Sequence, residues 1–149
     1  MANLTVTLTE SLTLNSAAMG GTNTVVVSGI NEVNKRIVTV TTTEATILTF
    51  SAAAGQGTYI AANVRYIRFT NLDGTNHIML TFKDEDNTEF RVKVDKGGSF
   101  IYNADLAGGL VDTMKANGSA LGSGLADLYD VTADADTASC KLEIFIATT

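Results

Sequence analysis

Residues 64–82 read VRYIRFTNLDGTNHIMLTF, and this segment carries the strongest structural signal in the chain. Apolar residues alternate with more polar ones in both of its halves: Ile67 and Phe69 in the first, and Ile78, Leu80 and Phe82 in the second. This period of two predicts two β-strands. Between them Asp73-Gly74 tolerates the positive φ angles of a tight turn, so we predict a β-hairpin. Both strands also carry apolar residues on the opposite face, which places the hairpin in the middle of a sandwich rather than at an edge.

Residues 4–15, LTVTLTESLTLN, show the most regular alternation in the sequence. The apolar residues of this segment that share one parity are Leu4, Val6, Leu8, Leu12 and Leu14. Glu10 interrupts that parity, so we predict a bend or bulge there and two strand segments, followed by a turn at Gly20-Gly21. An exposed strand of this kind is an aggregation hazard unless it is paired, in this chain or in a neighbour. We therefore expect residues 1–15 to form an extended strand segment that contacts another subunit.

Further alternating segments predict about nine or ten strands in total. They are residues 24–28, 35–42, 47–51, 90–94, 99–103, 125–133 and 140–147. The connections include a loop at 29–34, a long link at 52–63 and a glycine-rich surface excursion at 105–124. We predict one all-β domain over residues 1–149, an antiparallel β-sandwich of jelly-roll-like form. Its predicted core includes Phe69, Leu80, Phe82, Val92, Leu142 and Ile144.

Composition narrows the class of protein. Hydrophobic residues make up 45% of the 149, enough to build a core, so the chain is not disordered. The net charge is −6, and the ten basic residues form no cluster beyond Lys35-Arg36, which argues against a nucleic-acid partner. No apolar run approaches the roughly 20 residues of a membrane span. The first residues do not resemble a signal peptide, so we expect a protein made in a cytoplasm.

Catalytic, metal and cofactor sites are not predicted. His77 is the only histidine, and the chain has no Gly-x-Ser-x-Gly segment that would present a nucleophile. Cys140 is the only cysteine and is in phase with Leu142 and Ile144, which predicts a buried, inert thiol. A zinc site needs more histidine or cysteine ligands than these two. We therefore expect the protein not to be an enzyme.

Two loops have residue types that also occur in ligand-binding loops. Residues 84–89, DEDNTE, concentrate oxygen ligands, but an EF-hand loop requires glycine where Glu89 stands. A solvated turn is the favoured interpretation, and a calcium site that begins with Asp84 and Asp86 is the alternative. Residues 118–124, GSALGSG, lack the lysine and the following helix of a phosphate-binding loop. They predict only a flexible loop.

Three segments resemble small all-β structural proteins of tailed bacteriophages. Residues 66–76, YIRFTNLDGTN, are similar to a strand of these proteins that enters a turn and returns as an apolar strand. Residues 90–100, FRVKVDKGGSF, resemble their strand, lysine–glycine turn and aromatic residue, and residues 133–147, ADADTASCKLEIFIA, resemble their closing turn and last strand. The resemblance extends from about residue 65 to the C-terminus, apart from residues 105–124. No catalytic residue is carried over from it.

The resemblance implies a virion component. The first hypothesis is a capsid decoration, or cement, protein that binds the assembled shell and stabilises it. The alternative is a tail or fibre subunit that acts as a receptor- or carbohydrate-binding module, although the chain has no tryptophan and only 7% aromatic residues. The expected partners are the major capsid protein or other virion proteins and further copies of the chain, with a trimer preferred by analogy.

Overall fold

The structure, a computed structural model, describes residues 1–55, 57–85, 88–103 and 128–149. The predicted excursion at 105–124 and the glycine-rich loop at 118–124 lie outside these residues, and the predicted strand 125–133 lies partly outside them. Within them thirteen strands and one short 3-10 helix occur: β1 (Ala2–Glu10), β2 (Thr13–Leu14), β3 (Ala17–Ala18), β4 (Gly21–Ile30), β5 (Glu32–Val40), β6 (Ala45–Ser51), β7 (Thr58–Ile60), the 3-10 helix (Ala61–Asn63), β8 (Val64–Asn71), β9 (Ile78–Asp84), β10 (Glu89–Val94), β11 (Ser99–Asn103), β12 (Leu128–Ala135) and β13 (Cys140–Thr148).

The strands from β5 onward form two sheets. One has five strands in the order β10-β9-β12-β6-β7, and the other has four in the order β11-β8-β13-β5. All of these pairs are antiparallel except β6–β7. Apart from β7, the strands follow the order of a jelly roll, in which successive strands cross repeatedly between two four-stranded sheets. The predicted antiparallel β-sandwich is confirmed.

The core lies between the two sheets. Five of the six residues predicted for it are fully buried: Phe69, Leu80, Phe82, Leu142 and Ile144. Val92 is only partly buried, because it lies on β10, the edge strand of the five-stranded sheet. Phe82 is at the centre of an aromatic cluster and meets Phe69 of the facing sheet edge to face, with ring centroids 5.9 Å apart.

The predicted hairpin at residues 64–82 is wrong. Its two strands are real, but β8 pairs with β11 and β13, whereas β9 pairs with β10 and β12 in the other sheet. The connection between them crosses from one sheet to the other. The Asn71 side chain stabilises it, since its Nδ2 donates to the carbonyl oxygens of Asn76 (2.9 Å) and Val94 (3.1 Å). Gly74 does not adopt a positive φ, so Asp73-Gly74 does not form the predicted hairpin turn.

Two predicted connections contain strand residues. Residues 29–34 were predicted as a loop, but β4 continues to Ile30 and β5 begins at Glu32. The link at 52–63 contains β7, which adds to the edge of the five-stranded sheet in parallel with β6, and then the 3-10 helix. Both segments lack strong alternation, because a strand at an edge or outside the sandwich buries few side chains.

Candidate interaction surface

The N-terminal segment folds back on itself as a two-stranded hairpin, which we call the arm (residues 2–30). β1 pairs with β4, and β2 pairs with β3 in the same register, because Glu10 lies opposite Gly21 and Thr13 opposite Ala18. Asn15 and Ser16 both have positive φ, 50° and 65°, and form the two-residue turn at the tip. Residues 1–15 were expected to contact another subunit, but the longer strand in this segment, β1, already pairs with β4 of the same chain.

Gly20 and Gly21 lie within the arm, so the turn predicted there is wrong. A Cβ on Gly20 would lie 2.1 Å from the carbonyl oxygen of Glu10, which is why only glycine fits where the two halves of the arm approach each other closely. The irregularity predicted at Glu10 is confirmed, since β1 ends at this residue and β2 begins at Thr13.

The base of the arm packs on the outer face of the four-stranded sheet. Val27 and Ile30 of the arm are buried there with Tyr66 and Ala147, and partly buried side chains complete this cluster: Leu4, Val6 and Phe145. The rings of Tyr66 and Phe145 meet edge to face with centroids 5.9 Å apart. This contact explains why β8 has an apolar residue on the face that points away from the core.

The outer part of the arm leaves its apolar residues uncovered. We call these residues the apolar stripe; each is between 40% and 64% exposed: Leu8, Leu12, Leu14, Met19 and Val25. Leu8, Leu12 and Leu14 keep the parity of the residues at the base, Val25 lies opposite Val6, and the Met19 N–H donates to the Leu12 carbonyl oxygen at 2.8 Å. Apolar surface concentrated in this way marks contact sites on soluble proteins.

The opposite face of the arm is rich in threonine. The hydroxyl oxygens of Thr7 and Thr24 are 3.3 Å apart, as are those of Thr9 and Thr22. Cross-strand threonine pairs of this kind stabilise a ribbon that remains in water. A two-stranded ribbon is only marginally stable by itself. The arm has one polar, solvent-exposed face and one apolar face, so it needs another surface that covers its apolar face.

The outer face of the four-stranded sheet has uncovered apolar residues beside the base of the arm. Val33 and Ile37 of β5 and Ile101 of β11 are exposed on it. Glu143 lies between them and binds Lys35 at 3.0 Å and Arg68 at 2.6 Å. The pKa of Glu143 is lowered, first by the hydrogen bond from Lys35 and further by the charges of Lys35 and Arg68, against the opposing effect of burial.

Glu143 should contribute stability that depends on pH. Because its pKa in the folded protein lies below the ordinary value of 4.5, its contribution is complete above that value and is lost as pH falls through the lowered pKa. We expect Glu143→Gln to lower the free energy of unfolding at pH 7 by about 1 kcal/mol. The difference from the wild type should become smaller as pH falls below 4.5, which urea titrations at pH 7 and near pH 3 would measure. A difference that persists unchanged in acid would contradict the ion-pair explanation.

The outer face of the five-stranded sheet has a different character. Lys83 binds Glu44 at 3.0 Å and lies 3.9 Å from Glu89, and Arg91 pairs with Asp134. These charged side chains lie over the sheet and form ion pairs that are partly exposed to solvent. The exposed apolar residues that could contact a partner therefore lie on the arm and on the outer face of the four-stranded sheet.

The residues considered for chemistry are not brought together. His77 Nδ1 lies 3.5 Å from the carboxylate of Asp136 at the end of the sandwich. Cys140 is buried and donates to the Ala138 carbonyl oxygen at 3.4 Å, and burial raises the pKa of its thiol, as expected for an inert residue. In the part of the chain that the structure describes, no three His, Cys, Asp or Glu side chains are placed to share a metal ion.

Calcium should have little effect on this protein. Asp84 begins the acidic turn and uses its Oδ1 to accept the Thr88 N–H at 2.7 Å, so this oxygen already has a structural role. Asp86 of the predicted alternative site lies outside the described residues. We expect the melting temperature to stay unchanged within error when millimolar calcium or EDTA is added. A rise of several degrees with calcium would contradict this and would make Asp84 the first ligand to replace.

A polar pocket that the sequence did not reveal lies between β5, β7 and the end of β13. Its volume is about 420 Å³, and its lining includes Glu32, Asn34 and Tyr59. Among the described residues, nothing forms a hydrogen bond with the buried Oδ1 of Asn34. This oxygen can accept a hydrogen bond from a water molecule or from a hydroxyl group of a ligand.

Comparisons with known proteins add little about function. No family model and no curated protein matches the chain. A solved chain is similar to it, from a structure described as "Bacillus endospore appendages form a novel family of disulfide-linked pili", with 14% identity, a TM-score of 0.47, and 79% of this chain and 85% of that chain covered. At that TM-score the likeness carries no argument. The resemblance to phage virion proteins therefore stays a prediction.

No helix among the described residues is long and apolar enough to cross a bilayer.

Proposed function

We propose that the chain is a structural subunit that attaches to other protein subunits through its arm. The observation that carries the proposal is the uncovered apolar stripe on the arm. Burial of a fully exposed leucine or valine side chain contributes about 1.5–3 kcal/mol, and these side chains are 40–64% exposed, so each can contribute roughly half of that and several together can hold the protein in place. The proposal assigns the protein no catalytic step.

The more specific proposal is a capsid decoration protein that binds and stabilises an assembled phage shell. It is supported by the resemblance of residues 66–76, 90–100 and 133–147 to virion proteins of tailed phages. The partners in this proposal are the major capsid protein and further copies of the chain, and the location is the virion. A protein of this kind must cover apolar surface on assembly and remain soluble before it, which agrees with a net charge of −6.

A second candidate is a tail or fibre subunit that binds a receptor or a carbohydrate. The polar pocket beside Asn34 favours it, because a volume of about 420 Å³ and a buried Asn34 Oδ1 that forms no hydrogen bond with the described residues suit a hydroxyl-rich ligand. Binding of a glycan that is lost in Asn34→Ala but kept in Leu12→Ser would support this candidate over the first.

Negative-stain imaging of phage particles labelled with antibodies against the chain tests the proposal. Label spread over the capsid is the expected result, label confined to the tail would favour the second candidate, and particles without label would contradict both. Pelleting of purified protein with particles then tests the arm. Leu12→Ser should weaken binding, whereas Val26→Ser should not, because Val26 is equally exposed (54% against 55%) but lies on the threonine-rich face.

A further inference from the structure

We infer that the apolar stripe of one copy docks on the outer face of the four-stranded sheet of a second copy, over Val33 and Ile37. This inference names one partner surface for the arm and rests on the proposed function. The occupant is a second copy of this chain, and three observations support it.

The first observation is that the arm already binds this kind of surface. Leu4 and Val6 at its base pack around Tyr66 and Phe145 on the outer face of their own sheet. The apolar stripe continues the same face of the arm with the same residue types. A sheet surface like the one that binds the base of the arm is therefore also suited to bind the stripe. Leu8 is the first residue of this row that is mainly exposed, at 53%, and the uncovered part of the arm begins there.

The second observation is that the acceptor surface lies next to the contact at the base and is also uncovered. Val33 lies opposite Ala147 and Ile37 opposite Glu143, on the strand next to β13. Val33 is 50% and Ile37 58% exposed. The arm of the same copy covers Ala147 but leaves these two side chains in water, so a second arm can lie beside the first.

The third observation is charge. The arm carries one ionisable side chain, Glu10, which has the parity of the apolar stripe. The outward-facing charges of the four-stranded sheet are Lys35, Arg68, Lys141 and Glu143, three cations and one carboxylate. Two copies of a chain with net charge −6 repel each other in most orientations, but this orientation brings an acidic group to a basic surface.

Because each copy offers one arm and one acceptor face, the contact can close by reciprocal exchange in a dimer or by rotation in a ring such as the expected trimer. In both cases the atoms that meet are the same. The test therefore examines the contact first and the number of subunits second.

Cross-linking between two separately purified variants, each with one introduced cysteine, tests the contact. Leu12→Cys is mixed with Ile37→Cys under mild oxidation, and Cys140 can remain because it is buried. We expect a disulfide-linked heterodimer. The matched control mixes Leu12→Cys with Lys93→Cys, an exposed position on the outer face of the five-stranded sheet, which should give little product. Absence of the first product, or equal amounts of both, would overturn the inference.

Light scattering supplies a second measurement that does not depend on disulfide formation. The wild type should be oligomeric, and Ile37→Ser and Leu12→Ser should each weaken self-association by about tenfold or more, the equivalent of about 1.4 kcal/mol. Val26→Ser should leave it unchanged. A wild type that is monomeric at high concentration would overturn the inference. If Leu12→Ser then still lost binding to particles while Ile37→Ser kept it, the proposed function would stand without the inference.

Discussion

Phe82→Ala is expected to lower the free energy of unfolding by about 3–5 kcal/mol. Phe82 is fully buried and stacks on Phe90 with ring centroids 4.8 Å apart. It also meets Phe69 at 5.9 Å and Phe100 at 5.4 Å, so its ring joins β9, β10, β8 and β11 across the two sheets. Truncation leaves a cavity that these neighbours cannot fill without losing their own contacts.

Denaturant titration of the purified protein measures the loss. Val26→Ala is the matched control, because its side chain is 54% exposed, lies on the threonine-rich face outside the proposed contact, and its truncation should cost less than about 0.5 kcal/mol. Phe82→Leu keeps part of the volume and should fall between the two, which leaves the prediction testable if Phe82→Ala does not fold. A loss below about 1 kcal/mol for Phe82→Ala would contradict the central place of this residue.

Removal of the arm is expected to abolish assembly and leave a folded sandwich. Among the described residues, the buried cluster between the two sheets contains no residue of the arm. The arm contributes to the separate cluster on the outer face, where its removal exposes Tyr66 and Ala147. Since 1 kcal/mol corresponds to about 2–4 °C for a domain of this size, we expect the melting temperature to fall by several degrees with the cooperative transition intact.

Two deletions separate the contributions of the arm. Removal of residues 1–15 takes away β1 and β2 and leaves β4 without its partner, whereas removal of residues 1–28 takes away nearly the whole arm. Circular dichroism should show a β signal and cooperative melting for the second deletion, and light scattering and particle pelleting should show loss of assembly. Loss of the β signal in the second deletion would contradict a separable arm. A folded deletion variant that still bound particles would contradict the arm as the contact.

Most strands and their buried faces were predictable from local sequence. Ile67 and Phe69, and Leu80 and Phe82, alternate with polar neighbours, and they face the core as predicted. The reason is geometric: successive side chains of a strand point to opposite sides, so the pattern of apolar residues is also the pattern of burial. The short β7 was missed because three residues cannot show a period.

The candidate surface was predictable only in part. The alternation from Leu4 to Leu14 indicated a strand with one apolar side. This side is covered at the base of the arm and exposed farther out. The partner strand within the chain was not foreseen, because residues 24–28 do not show that β4 begins at Gly21. The positive φ angles of Asn15 and Ser16, which make the turn, are compatible with these residue types but are not demanded by them.

The sequence by itself determined most of the segments that form strands and which side of each is apolar, because both depend on neighbouring residues along the chain. The tertiary structure decided which strands pair, because backbone hydrogen bonds are the same for every residue and do not identify a partner. For this reason β8 and β9 look like a hairpin in sequence but lie in opposite sheets, joined by a connection that Asn71 holds through Asn76 and Val94. The tertiary structure also decided that Leu4 is covered and Leu12 is not, since the exposure of a side chain depends on where the rest of the fold ends.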